Sequence, residues 1–210
     1  MTQLQFHSYK NQTSMKRRIR ELQAALQGTD LADLASRTGA EYQKSTGEVT
    51  IPLFGKRFII TPELLVQEIK SGEEAGLNTQ ALLLYHLTCS DGAPVTGRWI
   101  SFRELPDGSF YHQAFQSYTG HELAKAFGDD VPGLKRAAVT LEGRPEAMGE
   151  LSFSFQALPR VPIAFIYWLG DEDVPASARI LFDASAGHHL PTDACALLGS
   201  TLTRRLIAQG

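Results

Sequence analysis

The sequence predicts an α+β fold: a mixed or antiparallel sheet of about five strands with helices packed around it, in one domain with an N-terminal helical extension. Three observations lead there. Stretches of strand and helix character come in blocks rather than in strict alternation, which favours α+β over a doubly wound sheet. Val161–Leu169 is an almost unbroken apolar run, as expected of a strand covered on both faces. Leu151–Ala157 (LSFSFQA) alternates with period two just before it, joined by Leu158-Pro159-Arg160, so the two read as neighbours.

A chain of 210 residues fits one domain and is long enough to bury a real core. Hydrophobic residues make up 43% and charged residues 20%, ordinary values for a globular protein. The formal charge is −3, from 20 Lys+Arg against 23 Asp+Glu, which argues against a nucleic-acid partner drawn by a strong positive field. No apolar run is long enough for a membrane span. The opening MTQLQFHSYKNQ lacks a basic-then-apolar signal architecture, so the expected setting is the cytoplasm, with no membrane partner. The two cysteines, Cys89 and Cys195, are too few for a disulfide framework or a four-cysteine metal site, and both read as small core residues.

The chain divides into an arm and helix over 1–28 and a single α+β domain over 29–210. Residues 1–12 are polar and aperiodic, a loose arm. Met15, Ile19, Leu22 and Leu26 then form the stripe of an amphipathic helix whose other face carries Lys16, Arg17, Arg18 and Arg20. Asp30 caps a second short helix that Gly39 ends. Val49, Ile51 and Leu53 alternate, Gly55-Lys56 turns, and Phe58–Ile60 returns as a β-hairpin, with Pro52 placing the first strand near an edge or a bulge. Thr61-Pro62-Glu63 opens a helix expected to run to Lys70. Asn78 is the expected cap of the next helix, central because Ala81–Leu87 is apolar on nearly every side; His86 within it reads as a hydrogen-bonded core histidine. Arg98–Arg103 alternates, with Trp99, Ser101 and Arg103 on one side. Phe110–Tyr118 reads as helix, Thr119 and Glu122 have capping-box spacing for another ending near Gly128, and Pro132–Glu142 follows as a third. The last helix begins at Thr192, with Ala194, Leu198, Leu202 and Leu206 inward.

Motifs that name a reaction are absent: there is no phosphate loop, nucleophile elbow or helical metal pair. His121-Glu122 begins like a zinc-protease pattern, but Lys125 stands where the second histidine belongs. Polar groups collect in two places. Asp183-Ala184-Ser185-Ala186-Gly187-His188-His189 follows an apolar strand and precedes a helix, so its imidazoles can hold a carboxylate or phosphate beside unpaired N–H groups, or ligate a central ion; the plain alternative is a solvated loop. Ser185 as a nucleophile lacks an oxyanion hole and an orienting third group. The acidic run Asp171-Glu172-Asp173 reads as a solvated turn rather than a cation site. Trp99, Arg103, Glu104, Tyr111, His112 and Phe115 form the second concentration, suited to a planar anion through stacking and a forked hydrogen bond, or else a core edge with a structural ion pair. The expectation is that both concentrations open onto one hollow at the sheet rim. The binding residues would be His188, His189, Trp99, Arg103, His112 and Asp183, with no catalytic residue or metal site assigned. Acid–base chemistry on a small acid by His188, His112 or Asp183, or docking of a partner on the basic first helix and the hairpin edge, are the rival readings.

The segments Gly97–Pro106 (GRWISFRELP), Ala157–Pro162 (ALPRVP), Leu181-Phe182-Asp183 and Leu190-Pro191-Thr192-Asp193 resemble the uncharacterised prokaryotic domain-of-unknown-function family 3786, over about Asp30 to Leu206. Some relatives resemble fusions to a small iron–sulfur domain. The resemblance therefore implies anaerobic redox biology, a tetrapyrrole-like cofactor and a separate iron–sulfur protein as partner, since this chain has no such cysteine segment. The family pattern more often has tyrosine at the position of His189, which moves the implied ligand role toward His188.

Overall fold

The computed structural model describes residues 3–210, with side chains from Gln12 onward. Helix α1 (Gln3–Leu26) already includes most of the stretch expected as a loose arm, while residues 1 and 2 lie outside the described residues. Ile19, Leu22 and Leu26 are buried, and Lys16, Arg17, Arg18 and Arg20 are exposed. Helix α2 (Leu31–Thr38) is capped by Asp30, which accepts from the N–H groups of Ala32 and Asp33, and ended by left-handed Gly39.

The first sheet is antiparallel in the order β1 (Glu41–Gln43), β2 (Glu48–Leu53), β3 (Lys56–Ile60) and β4 (Val66–Glu68). Its centre is the expected hairpin, turning at Phe54-Gly55. The helix expected from Thr61 to Lys70 does not form. Leu64 adopts a left-handed φ of 65°, Leu64 and Val66 are buried while Leu65 and Gln67 are exposed, and Val66 pairs with Ile60. A threonine cap with a following proline is a weak local preference; pairing this alternating stretch with the open edge of β3 outweighs it.

Helix α3 (Leu77–Cys89) is buried on all sides from Gln80 to Leu87. Its cap is Gly76 rather than Asn78, and no side chain bonds there; Gln80 instead donates to Ala75 O (2.6 Å) and Glu74 (2.8 Å). Cys195 is buried, but Cys89, at the last position of α3 beyond its buried run, is exposed.

The second sheet is also antiparallel, in the order β5 (Trp99–Ser101), β9 (Ser177–Asp183), β8 (Val161–Trp168), β7 (Leu151–Leu158) and β6 (Arg144–Pro145). The apolar run of β8 takes the central place that its two covered faces require. Between β5 and β6 come a 3-10 turn (Phe102–Glu104), α4 (Gly108–Tyr118), α5 (Gly120–Phe127) and α6 (Val131–Thr140). Helix α7 (Thr192–Ile207) closes the chain, burying Ala194, Leu198, Leu202 and Leu206. The architecture is α+β. The sheets meet where Phe54 N–H donates to Ala157 O (2.8 Å). Helix α1 packs on α3, α5 on β9, and α7 against α3, α4, α5 and α6, so one core spans all of them. Among the described residues, no helix is long and apolar enough to cross a membrane.

Candidate functional site

The turn from β9 to α7 spends its polar groups on the loop 91–98. Asp183, 1% exposed, accepts at Oδ1 from Thr96 N–H (3.0 Å), Thr96 O–H (2.9 Å), Ser185 N–H (2.9 Å) and Ser185 O–H (2.6 Å), and at Oδ2 from Gly97 N–H (2.7 Å). Burial pushes this carboxyl up, but the bonds from Ser185 and Thr96 together outweigh it and its pKa lies below the ordinary value. Ser185 therefore carries no free nucleophilic hydroxyl. His188 is exposed and its Nδ1 lies 2.7 Å from Asp91 Oδ2. Asp91 N–H donates to His188 O (3.2 Å), and Arg160 donates to Gly92 O (3.0 Å).

His189 is sealed inside this clasp. Its Nε2 lies 3.0 Å from Ala93 O, which only accepts, so the proton sits on Nε2; Nδ1 then accepts from the Ser90 hydroxyl at 2.6 Å. The fold thus sets Ser90 beside a histidine. Ser90 is 1% exposed and His189 0%, so the pair has no open path to a substrate. Burial lowers the His189 pKa, with the charges of Arg160 and His188 acting in the same sense. His86 packs edge-on against it, ring centroids 5.9 Å apart. The expected core histidine is buried as foreseen, but its ring nitrogens make no well-formed hydrogen bond, the backbone of His189 and Thr38 being the polar groups that face them. Desolvation first, and then the neighbouring His189, lower its pKa to about 3.

The six residues expected to share a site are divided. Trp99 and Asp183, opposite one another across β5 and β9, line a groove of about 540 Å³ that also includes Phe54, Val95, Arg144 and Gln156. Arg103 and His112 line a different hollow of about 360 Å³, between the 3-10 turn, α4, the start of α5 and the outer end of β9. His188 and His189 line neither of these two. The reason is register: β5 runs antiparallel to β9 from Trp99 opposite Asp183 to Ser101 opposite Leu181, so the residues after Ser101 lie toward the start of β9, where Arg179 stands, and away from Asp183.

The smaller hollow is built with close tolerances. The rings of Phe102 and Phe115 stack with centroids 4.1 Å apart, forming its apolar base. Gln116 fastens α4 to β9 by donating to Ala178 O (2.6 Å). A Cβ on Gly108 would collide with Phe102 O, and one on Gly120 would collide with Ala178 O and the Gln116 amide, so glycine at both positions lets the helices approach this closely. The charged and titratable side chains on its wall are Arg103, Arg179, His112 and His121, and none of its lining residues is acidic. The nearby Glu104 carboxylate is turned into a cap, accepting from Ser101 N–H and O–H at 2.8 Å each, bonds that lower its pKa. Arg179 also lies over the Trp168 ring, 5.5 Å from its centroid. Arg179 and His121 were not among the expected site residues. Their only local signal is exposure on a strand and at a helix start, which many solvated residues share.

A third hollow, about 930 Å³, lies between α1, α3 and α7. Within it Arg18 donates to the Tyr85 hydroxyl (2.6 Å), which donates to Asp193 (3.0 Å). Among the described residues, no group of three or more His, Cys, Asp or Glu is placed to hold a metal ion, and Asp171 accepts from Asp173 and Val174 N–H as an ordinary exposed turn. A family described as a domain of unknown function (DUF3786) matches residues 30–205. No curated protein and no solved structure matches the chain.

Proposed function

The chain belongs to this family, and since its description carries no activity, we propose a function from the chain's own geometry: a binding domain for a small anionic molecule, seated in the hollow between α4, α5 and β9. The observation that supports this is the charge of the wall. Two guanidiniums and two imidazoles line one concavity without a lining carboxylate to neutralise them. Guanidinium forks match carboxylate and phosphate oxygens two at a time, which gives orientation as well as attraction. The volume of about 360 Å³ lies at the small end of the roughly 300–1,000 Å³ typical of ligand pockets. The setting of this reading is the cytoplasm, where free thiols such as Cys89 and Cys195 persist. For a tetrapyrrole-like ligand, the imidazoles within reach of the hollow are His112 and His121 rather than His188 and His189.

Native mass spectrometry of the protein isolated from its own cells, followed by calorimetric titration with the retained small molecule or with phosphate and citrate, tests the reading. Binding should weaken about tenfold or more in Arg103→Ala and in Arg179→Ala, a loss of about 1.4 kcal/mol or more. Unchanged affinity in both variants refutes it, as does a retained ligand that is neutral or cationic. Haemin and cobalamin spectra, recorded with and without His112→Ala, decide the tetrapyrrole version.

A further inference from the structure

The ladder between β5 and β9 ends one step short of a like-charge pair. Trp99 stands opposite Asp183 and Ser101 opposite Leu181. Two residues on, the same register would set Arg103 against Arg179, and like charges directly opposite in a sheet repel. The chain instead leaves the ladder for the 3-10 turn that begins at Phe102, and a hollow lies there that both arginines line. Among the described residues, neither guanidinium makes an ion pair. Glu104, the acid beside Arg103, is engaged by Ser101 instead. Arg179 rests against the Trp168 ring rather than a carboxylate. The base of the hollow is apolar, formed by the stacked rings of Phe102 and Phe115. The recess therefore offers two guanidinium forks over a hydrocarbon floor.

We propose that the ligand of this hollow is a short dicarboxylate, with one carboxylate on the Arg103 fork, the other on the Arg179 fork, and its carbon chain over Phe102 and Phe115. The proposal rests on the anion-binding reading and adds the number and spacing of the ligand's charges. A carboxylate fills one guanidinium fork with its two oxygens, so two forks in one recess call for two carboxylates. A monocarboxylate would leave the second guanidinium without a partner. Inorganic phosphate would leave the apolar base uncovered. A diacid such as succinate or glutarate is small enough for a volume of about 360 Å³.

Three probes separate the parts of such a ligand: succinate, butyrate (the same carbon chain with a single carboxylate) and inorganic phosphate. Calorimetry at neutral pH and fixed salt reads the affinities. Succinate is expected to bind about tenfold or more tightly than butyrate, as a second charge-assisted fork should give, and more tightly than phosphate. Arg103→Ala and Arg179→Ala should each bring succinate down to the level of butyrate in the unaltered protein, since one fork then remains. Both side chains are exposed, so thermal melting should show each variant folded like the parent. Equal affinities for succinate and butyrate in the unaltered protein, or a succinate preference that survives both substitutions, overturn the dicarboxylate proposal. Phosphate binding that needs the two arginines, without succinate binding, also overturns it and leaves the anion reading standing. If no probe binds, both fall.

Discussion

Asp183 and His86 show how much of this molecule turns on single buried polar groups. Asp183 accepts every donor that the loop 91–98 and Ser185 direct at it, so the carboxylate gathers five of the bonds that hold this corner, beside the backbone bonds from Asp91 to His188 and from Ala184 to Arg98. Asp183→Asn turns an NH₂ toward those donors and should cost roughly 1.5–3 kcal/mol or more of stability, read as a shift in the urea midpoint. A variant with an unshifted midpoint would mean that the loop is held by other contacts. His86 works differently. Its pKa is about 3 in the folded chain and near the ordinary 6.5 when unfolded. Between those values the unfolded state binds the extra proton, so stability is present above about pH 6.5 and falls as pH drops toward 3, by up to about 1.4 kcal/mol per pH unit. His189, also lowered, acts in the same direction. His86→Leu removes this proton-linked contribution together with two poorly bonded nitrogens, so the variant should lose about 2–3 kcal/mol less than the parent between pH 6.5 and 4.5. Equal losses would show that the neutral imidazole is not the cause.

At the scale of elements, the segment Thr61–Glu68 and the corner between α4 and α5 carry the lesson. Thr61-Pro62-Glu63 satisfies every local rule for a helix start, yet the chain prefers to pair Val66 with Ile60. Burial alternates along Leu64, Leu65, Val66 and Gln67, but three apolar residues in a row hide that period in the sequence, which also hides the open strand edge at β3 that receives them. At the α4–α5 corner, Gly120 sits where a methyl would meet Ala178 O and Gln116. Gly120→Ala should push α5 off β9, costing about 1–3 kcal/mol as overpacking does, and weaken anion binding in the same variant. Gly76→Ala, with nothing within 4 Å of the added atom, is the matched control and should change little. A calorimetric and thermal-melting comparison of the two decides. In α3, Leu84 is fully buried, and Leu84→Ala should cost about 2–5 kcal/mol.

The whole molecule behaves as one core on this packing. Helix α1 lies outside the matched residues 30–205, yet Ile19, Leu22 and Leu26 belong to the same continuous cluster as the sheet residues Ile163 and Phe182. Leu22→Ala should therefore lower the stability of the entire chain, not of the helix alone. The check is coincidence of two probes: far-UV circular dichroism, which weighs α1, and fluorescence of Trp99 and Trp168, both on the second sheet. One shared midpoint is expected; an early circular-dichroism transition with unmoved fluorescence would make α1 a separate unit.

By itself the sequence determined what depends on neighbours along the chain. Period two wrote β7, the apolar run wrote the central strand β8, and period 3.6 with Asp30, Gly39 and Thr192 at its ends wrote α2 and α7, because each signal is complete within about ten residues. The α+β class followed from their order. Which polar groups meet was decided only in three dimensions. The bond from Tyr85 to Asp193 spans 108 positions and that from Ser90 to His189 spans 99. The antiparallel run of β5 along β9 separates Arg103 from Trp99 and delivers it to the hollow that Arg179 also lines. Those meetings depend on strand order and on which edge a connection crosses, quantities set by the packing energy of the whole core and carried by no single stretch of residues.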